Sequence, residues 1–323
     1  MDHRDARLMY KAKYKAKYDA KLDKLRTQLR KARSTIQTLR AQLSGSQPTS
    51  VPTHQQDTVQ KKPDTIKIPP LNMPSSSKTS THTRMLSTTM DDWGASASAI
   101  KNAKRLKPGE DVLTLTLPSG GHGSAGGVNL KCVPKDFPCS SAELKYSVYI
   151  PKDWDCVKGG KLPGLFIGKN GTGGKSYDKD NGSARLMWRR GNQLVSYLYL
   201  CTDQGDITKQ GPEFLRACNN KFPDAGIDMW RETKEKLVLK EGTWNTIVYG
   251  LSLNEKGKRN GRLWLELNGK HLSVNDACFT ANPEKNKIGG FQFSCWYGGS
   301  NATWAPSRPQ QLKFKDIQIS VLQ

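Results

Sequence analysis

The chain has 323 residues, of which only 35% are hydrophobic, and its formal net charge is +22. This balance predicts one packed domain with a long polar extension, and a polyanionic partner such as nucleic acid, acidic lipid or acidic polysaccharide. No apolar window approaches the roughly 18 residues of a membrane span, and the N-terminus lacks a signal-peptide core, so we expect a protein made in the cytoplasm with no membrane partner.

Residues 1–43 form a basic arm, with 13 Lys/Arg against four Asp. Its apolar residues follow a heptad that predicts a helix. Arginines at the e positions have almost no acidic partners, so a solvated amphipathic helix and an oligomeric coiled coil both fit the pattern. We expect the arm to attach the protein to an anionic surface. The heptad positions are Leu22, Leu29, Ile36 and Leu43 at a, with Tyr18, Leu25, Ala32 and Leu39 at d.

Residues 44–109 follow as a polar segment. Between residues 44 and 90 there are 17 Ser/Thr and six Pro with few aliphatic side chains. Such a composition cannot bury enough apolar surface to offset the entropy of folding, and it predicts a disordered linker.

Residues 110–323 alternate short β-strand patterns with Gly/Asn turns, as in Arg262–Leu267 before Asn268 and Gly269. Only residues 211–235 read as a short helical or irregular insertion. About 210 residues of this kind predict an all-β fold, an antiparallel β-jelly-roll sandwich. Seven scattered cysteines show no disulfide framework, and neither they nor the five histidines have metal-ligand spacing, so we expect neither a metal site nor a cofactor.

One predicted hairpin carries polar side chains on a single face. Two strands flank Gly191 and Asn192, and pairing positions that sum to about 382 sets Arg185 opposite Tyr197 and Ser183 opposite Tyr199. Directly opposed side chains lie on the same side of a sheet, and a slip of one residue would destroy the arrangement. The alternative interpretation is an ordinary amphipathic outer face.

Three segments resemble the alginate- and glucuronan-cleaving enzymes of polysaccharide lyase family fourteen, which includes enzymes of large chlorella viruses. The segments are GGKLPG at 159–164, SARLMW at 183–188 and YLY at 197–199, and the resemblance extends over about 110–320. It implies a β-jelly roll with a concave cleft, metal-independent β-elimination on uronic-acid polymers, and degradation of algal cell wall during viral entry or release. The protein would then be virion-associated or released on lysis.

The resemblance also implies the site. The family's functional side chains fall on Lys161, Ser183, Arg185, Tyr197 and Tyr199. Arginine suits bidentate capture of the uronate carboxylate, and Lys161 would assist it. The tyrosines would supply the base and the acid in an order left open, on the expectation that nearby cations lower the pKa of a phenol.

A second group of side chains is expected to line the cleft and bind substrate. Lys169 follows the point where the chain departs from the family pattern, and the others alternate along a later strand, at Gln292, Ser294 and Trp296.

Two other functions fit the same composition. A non-catalytic lectin with a basic groove would hold the acidic polymer without cleaving it. A nucleic-acid-binding protein is the weaker alternative, because the basic density is confined to the arm and the aromatic/basic interleaving of RNA-binding folds is missing.

Overall fold

A computed structural model describes residues 80–173, 178–201, 209–220 and 226–323. These residues all belong to one compact unit, Pro74–Gln323. The predicted helical arm, its coiled coil and most of the predicted linker lie outside the described residues.

The described residues form two short α-helices and fifteen strands. The helices are α1 (Ala97–Asn102) and α2 (Pro212–Ala217), the latter within the predicted insertion. The strands are β1 (Ser80–Met85), β2 (Leu106–Pro108), β3 (Leu113–Leu117), β4 (Val128–Cys132), β5 (Ser141–Ile150), β6 (Gly159–Ile167), β7 (Gly182–Arg189), β8 (Gln193–Tyr199), β9 (Ile227–Met229), β10 (Leu237–Val238), β11 (Thr243–Ser252), β12 (Gly261–Leu267), β13 (Lys270–Ala277), β14 (Ile288–Tyr297) and β15 (Gln310–Leu322).

The strands build two antiparallel sheets. The eight-stranded sheet has the order β13-β12-β11-β5-β15-β3-β2, with β1 pairing the last part of β15. The seven-stranded sheet has the order β10-β8-β7-β6-β14-β4, with β9 beside β8. An all-β antiparallel sandwich is therefore confirmed, and its layers agree with the predicted jelly roll.

The core lies between the sheets and follows the two-residue period of a pleated strand. In β12, Leu263, Leu265 and Leu267 are buried while the residues between them are half-buried. All seven cysteines are free thiols, including Cys132 and Cys139. No helix in the described part of the chain is long and apolar enough to cross a bilayer.

The predicted start of the folded domain at residue 110 is wrong. β1 pairs with β15, and the 80–109 segment inserts Leu86, Met90 and Trp93 into the core. Trp93 has 0% exposure and its ring lies 5.0 Å from that of Phe293. Composition did not indicate that this segment is folded, because only a few isolated apolar residues in a Ser/Thr-rich stretch pack into the core, and they show no periodicity.

Replacing Trp93 by alanine is expected to lower the free energy of unfolding by about 3–5 kcal/mol, as for other large-to-small aromatic changes in a core. Urea unfolding followed by circular dichroism measures it. The control is Asp91→Ala, which alters an exposed neighbour and should stay within about 0.5 kcal/mol of wild type. Equal stabilities for the two variants would show that this segment does not belong to the core.

Candidate active site

The hairpin of β7 and β8 has the predicted register. Ser183 pairs with Tyr199 and Arg185 with Tyr197, so that prediction is confirmed. The turn between the strands places Gly191 at φ 71° and Asn192 at φ 58°. Glycine and asparagine tolerate this left-handed region best, and two such residues in succession match the right-handed twist of the flanking strands.

The two faces of the hairpin differ as predicted. Ala184, Leu186 and Leu198 belong to the core cluster between the sheets. Ser183, Arg185, Tyr197 and Tyr199 alternate with them and point to the opposite side, which we call the site face. Every residue of β7 is buried, whereas Tyr197 on β8 is partly exposed, so the site face opens to solvent at Tyr197.

Lys161 reaches the site face from the neighbouring strand β6, where it pairs with Met187. Its Nζ lies 3.1 Å from Met187 Sδ and 3.3 Å from the centroid of the Tyr197 ring. The register then shifts between Leu162 and Leu165, and Gly164 passes Arg185 so closely that a Cβ on it would lie 2.5 Å from Arg185 Cα. The three adjacent strands thus bring the five predicted side chains together.

Arg185 is a buried cation, 5% exposed, that forms no ion pair within the described residues. Its Nη2 donates to the backbone oxygen of Thr172 at 2.8 Å, and Ser183 Oγ donates to the same oxygen at 2.9 Å. The Arg185 Nε is buried and has no hydrogen-bond partner among those residues. Because an uncompensated buried charge costs several kcal/mol, this guanidinium is poised for an anion that arrives from outside.

The two phenols meet at their hydroxyl groups. Tyr197 Oη and Tyr199 Oη lie 3.4 Å apart, and the rings cross edge-on at 80°. The backbone N–H of Gly226 donates to Tyr197 Oη at 3.0 Å. This places the Tyr197 hydroxyl at the junction of β8 with the chain that enters β9.

The pKa of Tyr197 is raised, so the expectation that neighbouring cations lower it is wrong. Burial is the main cause, and the hydrogen bond and partial charge of Tyr199 add to it. The hydrogen bond from the Gly226 N–H and the positive charge of Arg189 lower the pKa of Tyr197, as expected. Their effect is smaller than that of burial and Tyr199, which raise it. Arg189 is weakened as a cation because it is itself paired with Asp228, through Nε at 3.2 Å.

Lys161 shifts in the opposite direction. Burial lowers its pKa well below the usual range, Arg185 and Arg189 lower it further, and Asp228 opposes them. Near neutral pH a larger fraction of this amine is therefore uncharged than for an exposed lysine. The predicted role of Lys161 as an assisting cation does not fit this environment well.

Sequence reasoning missed four participants. Arg189 has the same strand parity as Arg185 and could have been found from the two-residue period. Asp228, Gly226 and the Thr172 carbonyl come from segments distant in sequence, and no local pattern marks them. Asp228 also pairs with Arg231 at 2.9 Å, so the acid sits between two guanidinium groups.

The predicted substrate-binding residues separate into two places. Gln292, Ser294 and Trp296 alternate along β14, and Trp296 pairs with Lys161. Gln292 Oε1 is buried without a hydrogen-bond partner in the described part of the chain, while Ser294 Oγ donates to Asn129 Oδ1 at 2.7 Å. Lys169 instead lines a cavity beyond the end of β6.

Replacing Lys161 by methionine is expected to lower kcat by at least about 10²-fold while leaving the protein as stable as wild type or more so, by about 1 kcal/mol. A buried amine destabilises the fold, and methionine fills the same volume beside Met187. In the folded wild-type protein the pKa of Lys161 lies below the value of about 10.4 that a lysine has in the unfolded chain. The unfolded chain therefore binds more protons between those two values, and wild-type stability rises with pH across that window.

The measurement is urea unfolding at several pH values together with kcat. In Lys161→Met, the free energy of unfolding should no longer rise with pH across that window. Lys152→Met, at an exposed position, should keep both this pH dependence and the activity of wild type. A Lys161→Met protein that unfolds more easily than wild type would contradict this interpretation of the site.

Among the described residues, no group of three His, Cys, Asp or Glu side chains is placed to share a metal ion.

Comparison with known proteins places the chain among carbohydrate-degrading enzymes. The family model described as Polysaccharide lyase 14 matches residues 106–317. Exolysin of Paramecium bursaria Chlorella virus 1 is 27% identical over 199 residues, which make up 56% of this chain but only 29% of Exolysin. The chain thus matches less than a third of the length of that curated relative.

Two solved structures share the fold. Alginate lyase vAL-1 from Chlorella virus is 24% identical, with 65% of this chain and 84% of that one covered and a TM-score of 0.56. The marine PL-14 alginate lyase from Aplysia kurodai is 21% identical, with 75% and 98% covered and a TM-score of 0.58. At sequence identities below 25%, these similarities show that the fold is shared.

Proposed function

Because the chain belongs to the polysaccharide lyase 14 family, we propose that it cleaves uronic-acid polymers of the alginate or glucuronan type by β-elimination, without a metal ion, and leaves unsaturated uronate ends. One observation carries the proposal. Arg185 is a buried guanidinium without an acidic partner in the described residues, and it lies in register with two phenols and beside a buried amine.

Arg185 binds the carboxylate of the sugar at the cleaved bond. Its Nη2 donates to the Thr172 backbone oxygen, and its Nε, which has no hydrogen-bond partner among the described residues, can donate to a carboxylate oxygen. Pairing with the cation stabilises the enolate-like dianion that forms when the neighbouring carbon loses its proton. Ser183, whose hydroxyl shares the Thr172 oxygen with Arg185, orients the sugar and the guanidinium together.

Lys161 then acts as the base. Its lowered pKa makes the uncharged amine available, and its position over the Tyr197 ring sets it beside the acid. The proton next to the carboxylate passes to Lys161 Nζ, and the electron pair forms the new carbon–carbon double bond. A base whose pKa lies near the working pH is the most efficient kind.

Tyr197 acts as the acid. Its raised pKa keeps the phenol protonated at neutral pH, as an acid requires. As the bond to the glycosidic oxygen breaks, that oxygen takes the Tyr197 proton. Tyr199, whose hydroxyl lies 3.4 Å away, holds the Tyr197 hydroxyl in place. After the products leave, the proton taken up by Lys161 returns to the Tyr197 phenolate, which resets both groups.

The test is formation of unsaturated ends, followed by their ultraviolet absorbance, on a panel of glucuronan, polymannuronate and polyguluronate. Absorbance that rises with time on at least one polymer supports the proposal. Binding of every polymer with no rise in absorbance would overturn it in favour of a lectin.

Similarity to Exolysin and vAL-1 supports a further proposal, that the natural substrate is algal cell wall degraded during viral entry or release. The protein would be virion-associated or set free on lysis, with the arm at 1–43 attaching it to wall or virion. Deleting the arm should reduce retention on isolated walls or virions and leave cleavage of soluble polymer unchanged; unaltered retention on both would contradict the role of the arm.

A further inference from the structure

A cavity of about 600 Å³ lies where β6 ends and β14 begins, at one end of the seven-stranded sheet. It is separate from the cluster around Arg185. The residues that line it include the three lysines Lys169, Lys285 and Lys287, together with Asp180, Val133 and Pro138.

The cavity is cationic. Three lysines against one aspartate give its lining a formal net charge of +2. Lys285 Nζ pairs with Asp180 Oδ1 at 3.0 Å and Lys287 Nζ donates to Ser140 Oγ at 2.9 Å. Lys169 is exposed, and its amine has no hydrogen bond or ion pair within the described residues. Lysines from two separate segments thus face one space with little compensating acid.

The walls of the cavity are fixed by hydrogen bonds. Gly168, at φ +81°, donates its N–H to the Lys287 oxygen at 2.7 Å, and a Cβ on it would meet the Asp180 oxygen at 2.0 Å. The Asn170 N–H donates to Asn181 Oδ1 at 2.8 Å, and Asn286 Nδ2 donates to the Lys179 oxygen at 3.0 Å. A preformed cavity of this kind binds a ligand without first being ordered.

The cavity also continues the line of the proposed active site. Gly164 lies beside Arg185, and Gly168 follows four residues later, roughly 13 Å further along the strand direction. A polymer bound at Arg185 reaches the cavity with a sugar beyond those that flank the cleaved bond. Lys131 links the cavity to β14. It lies opposite Gln292 in the strand register, and its Nζ donates to Asn170 Oδ1 at the cavity, at 3.1 Å.

We propose that this cavity binds a second acidic sugar residue of the same polymer, outside the bond that is cleaved. Lys169 and Lys287 pair with its carboxylate, and the apolar edges of Val133 and Pro138 pack against the ring. The inference rests on the proposed function, since it assumes a polyuronate. It gives Lys169 a role in substrate binding, although Lys169 does not belong to the cluster around Arg185.

The test compares Lys169→Ala/Lys287→Ala with a control that also removes two exposed lysines, Lys104→Ala/Lys107→Ala on and beside β2. Polyuronate affinity is measured by titration calorimetry with both pairs in a Tyr197→Phe background, and KM is measured with Tyr197 intact. The cavity variant should raise Kd and KM about tenfold, as expected for the loss of two accessible ion pairs, and the control by less than about twofold. A neutral glucan of similar length should bind none of the proteins.

Equal polyuronate Kd values for the cavity variant and the control would overturn the inference, and so would equal affinity for the neutral glucan. Failure of the proposed function has a different signature, namely that the wild-type chain forms no unsaturated ends. The calorimetric comparison decides the cavity's role in either case.

Discussion

Replacing Arg185 by alanine is expected to lower kcat for polyuronate cleavage by about 10²–10³-fold, the range found when one preorganised group that stabilises developing charge is removed. The reason is that Arg185 supplies the buried positive charge opposite the reacting carboxylate and has no acidic partner within the described residues. Initial rates of unsaturated-end formation measure the effect.

Arg190→Ala is the matched control, since it removes an exposed guanidinium at the end of the same strand and should leave kcat within about twofold. Arg185→Lys should recover little activity, because an ammonium lacks the planar pair of donors that a carboxylate accepts. Thermal melting should show the alanine variant folded, since the change removes a buried charge. Full activity in a folded Arg185→Ala protein would remove this residue from the mechanism.

Replacing Tyr197 by phenylalanine is expected to reduce kcat by about 10²–10⁴-fold, the usual contribution of a general acid. Tyr199→Phe should cost less, because Tyr199 supports the Tyr197 hydroxyl rather than donating to the leaving oxygen. Tyr149→Phe, in the other sheet beside Trp244, is the control and should have no effect. A larger loss for Tyr199→Phe than for Tyr197→Phe would reverse the assignment.

The pH profile offers an independent check on Tyr197. An acid must be protonated, so activity should fall as pH rises through its pKa. Burial raises that pKa above the ordinary tyrosine value of about 10, so the fall should begin at higher pH than for an exposed phenol. The residual activity of Tyr197→Phe should lack this limb.

Much of the candidate site could be predicted from local sequence. The two-residue period of a strand and a Gly-Asn turn determine the pairing of Ser183 with Tyr199 and of Arg185 with Tyr197, and both pairs are confirmed. The family resemblance, which rested on three short segments in order, is confirmed as well. The hairpin pairs residues within about 20 positions of each other, and the three segments all lie between residues 159 and 199, so a single sequence displays both features.

What escaped prediction depends on contacts between distant segments. Trp93 anchors a stretch that composition marks as a linker, because one large ring packed on Phe291 and Phe293 outweighs many polar neighbours. The direction of the Tyr197 pKa shift depends on burial of the phenol in the folded protein, and Arg189 is paired with Asp228 from β9. Neither could be read from the hairpin alone.

Mass spectrometry of the products from wild-type chain and polyuronate tests the central claim most directly. β-Elimination predicts oligosaccharides whose new non-reducing ends lack one water relative to hydrolysis products, and their formation should require Arg185. Saturated ends, or an intact polymer that remains bound to the protein, would contradict a lyase built on Arg185, Lys161 and Tyr197.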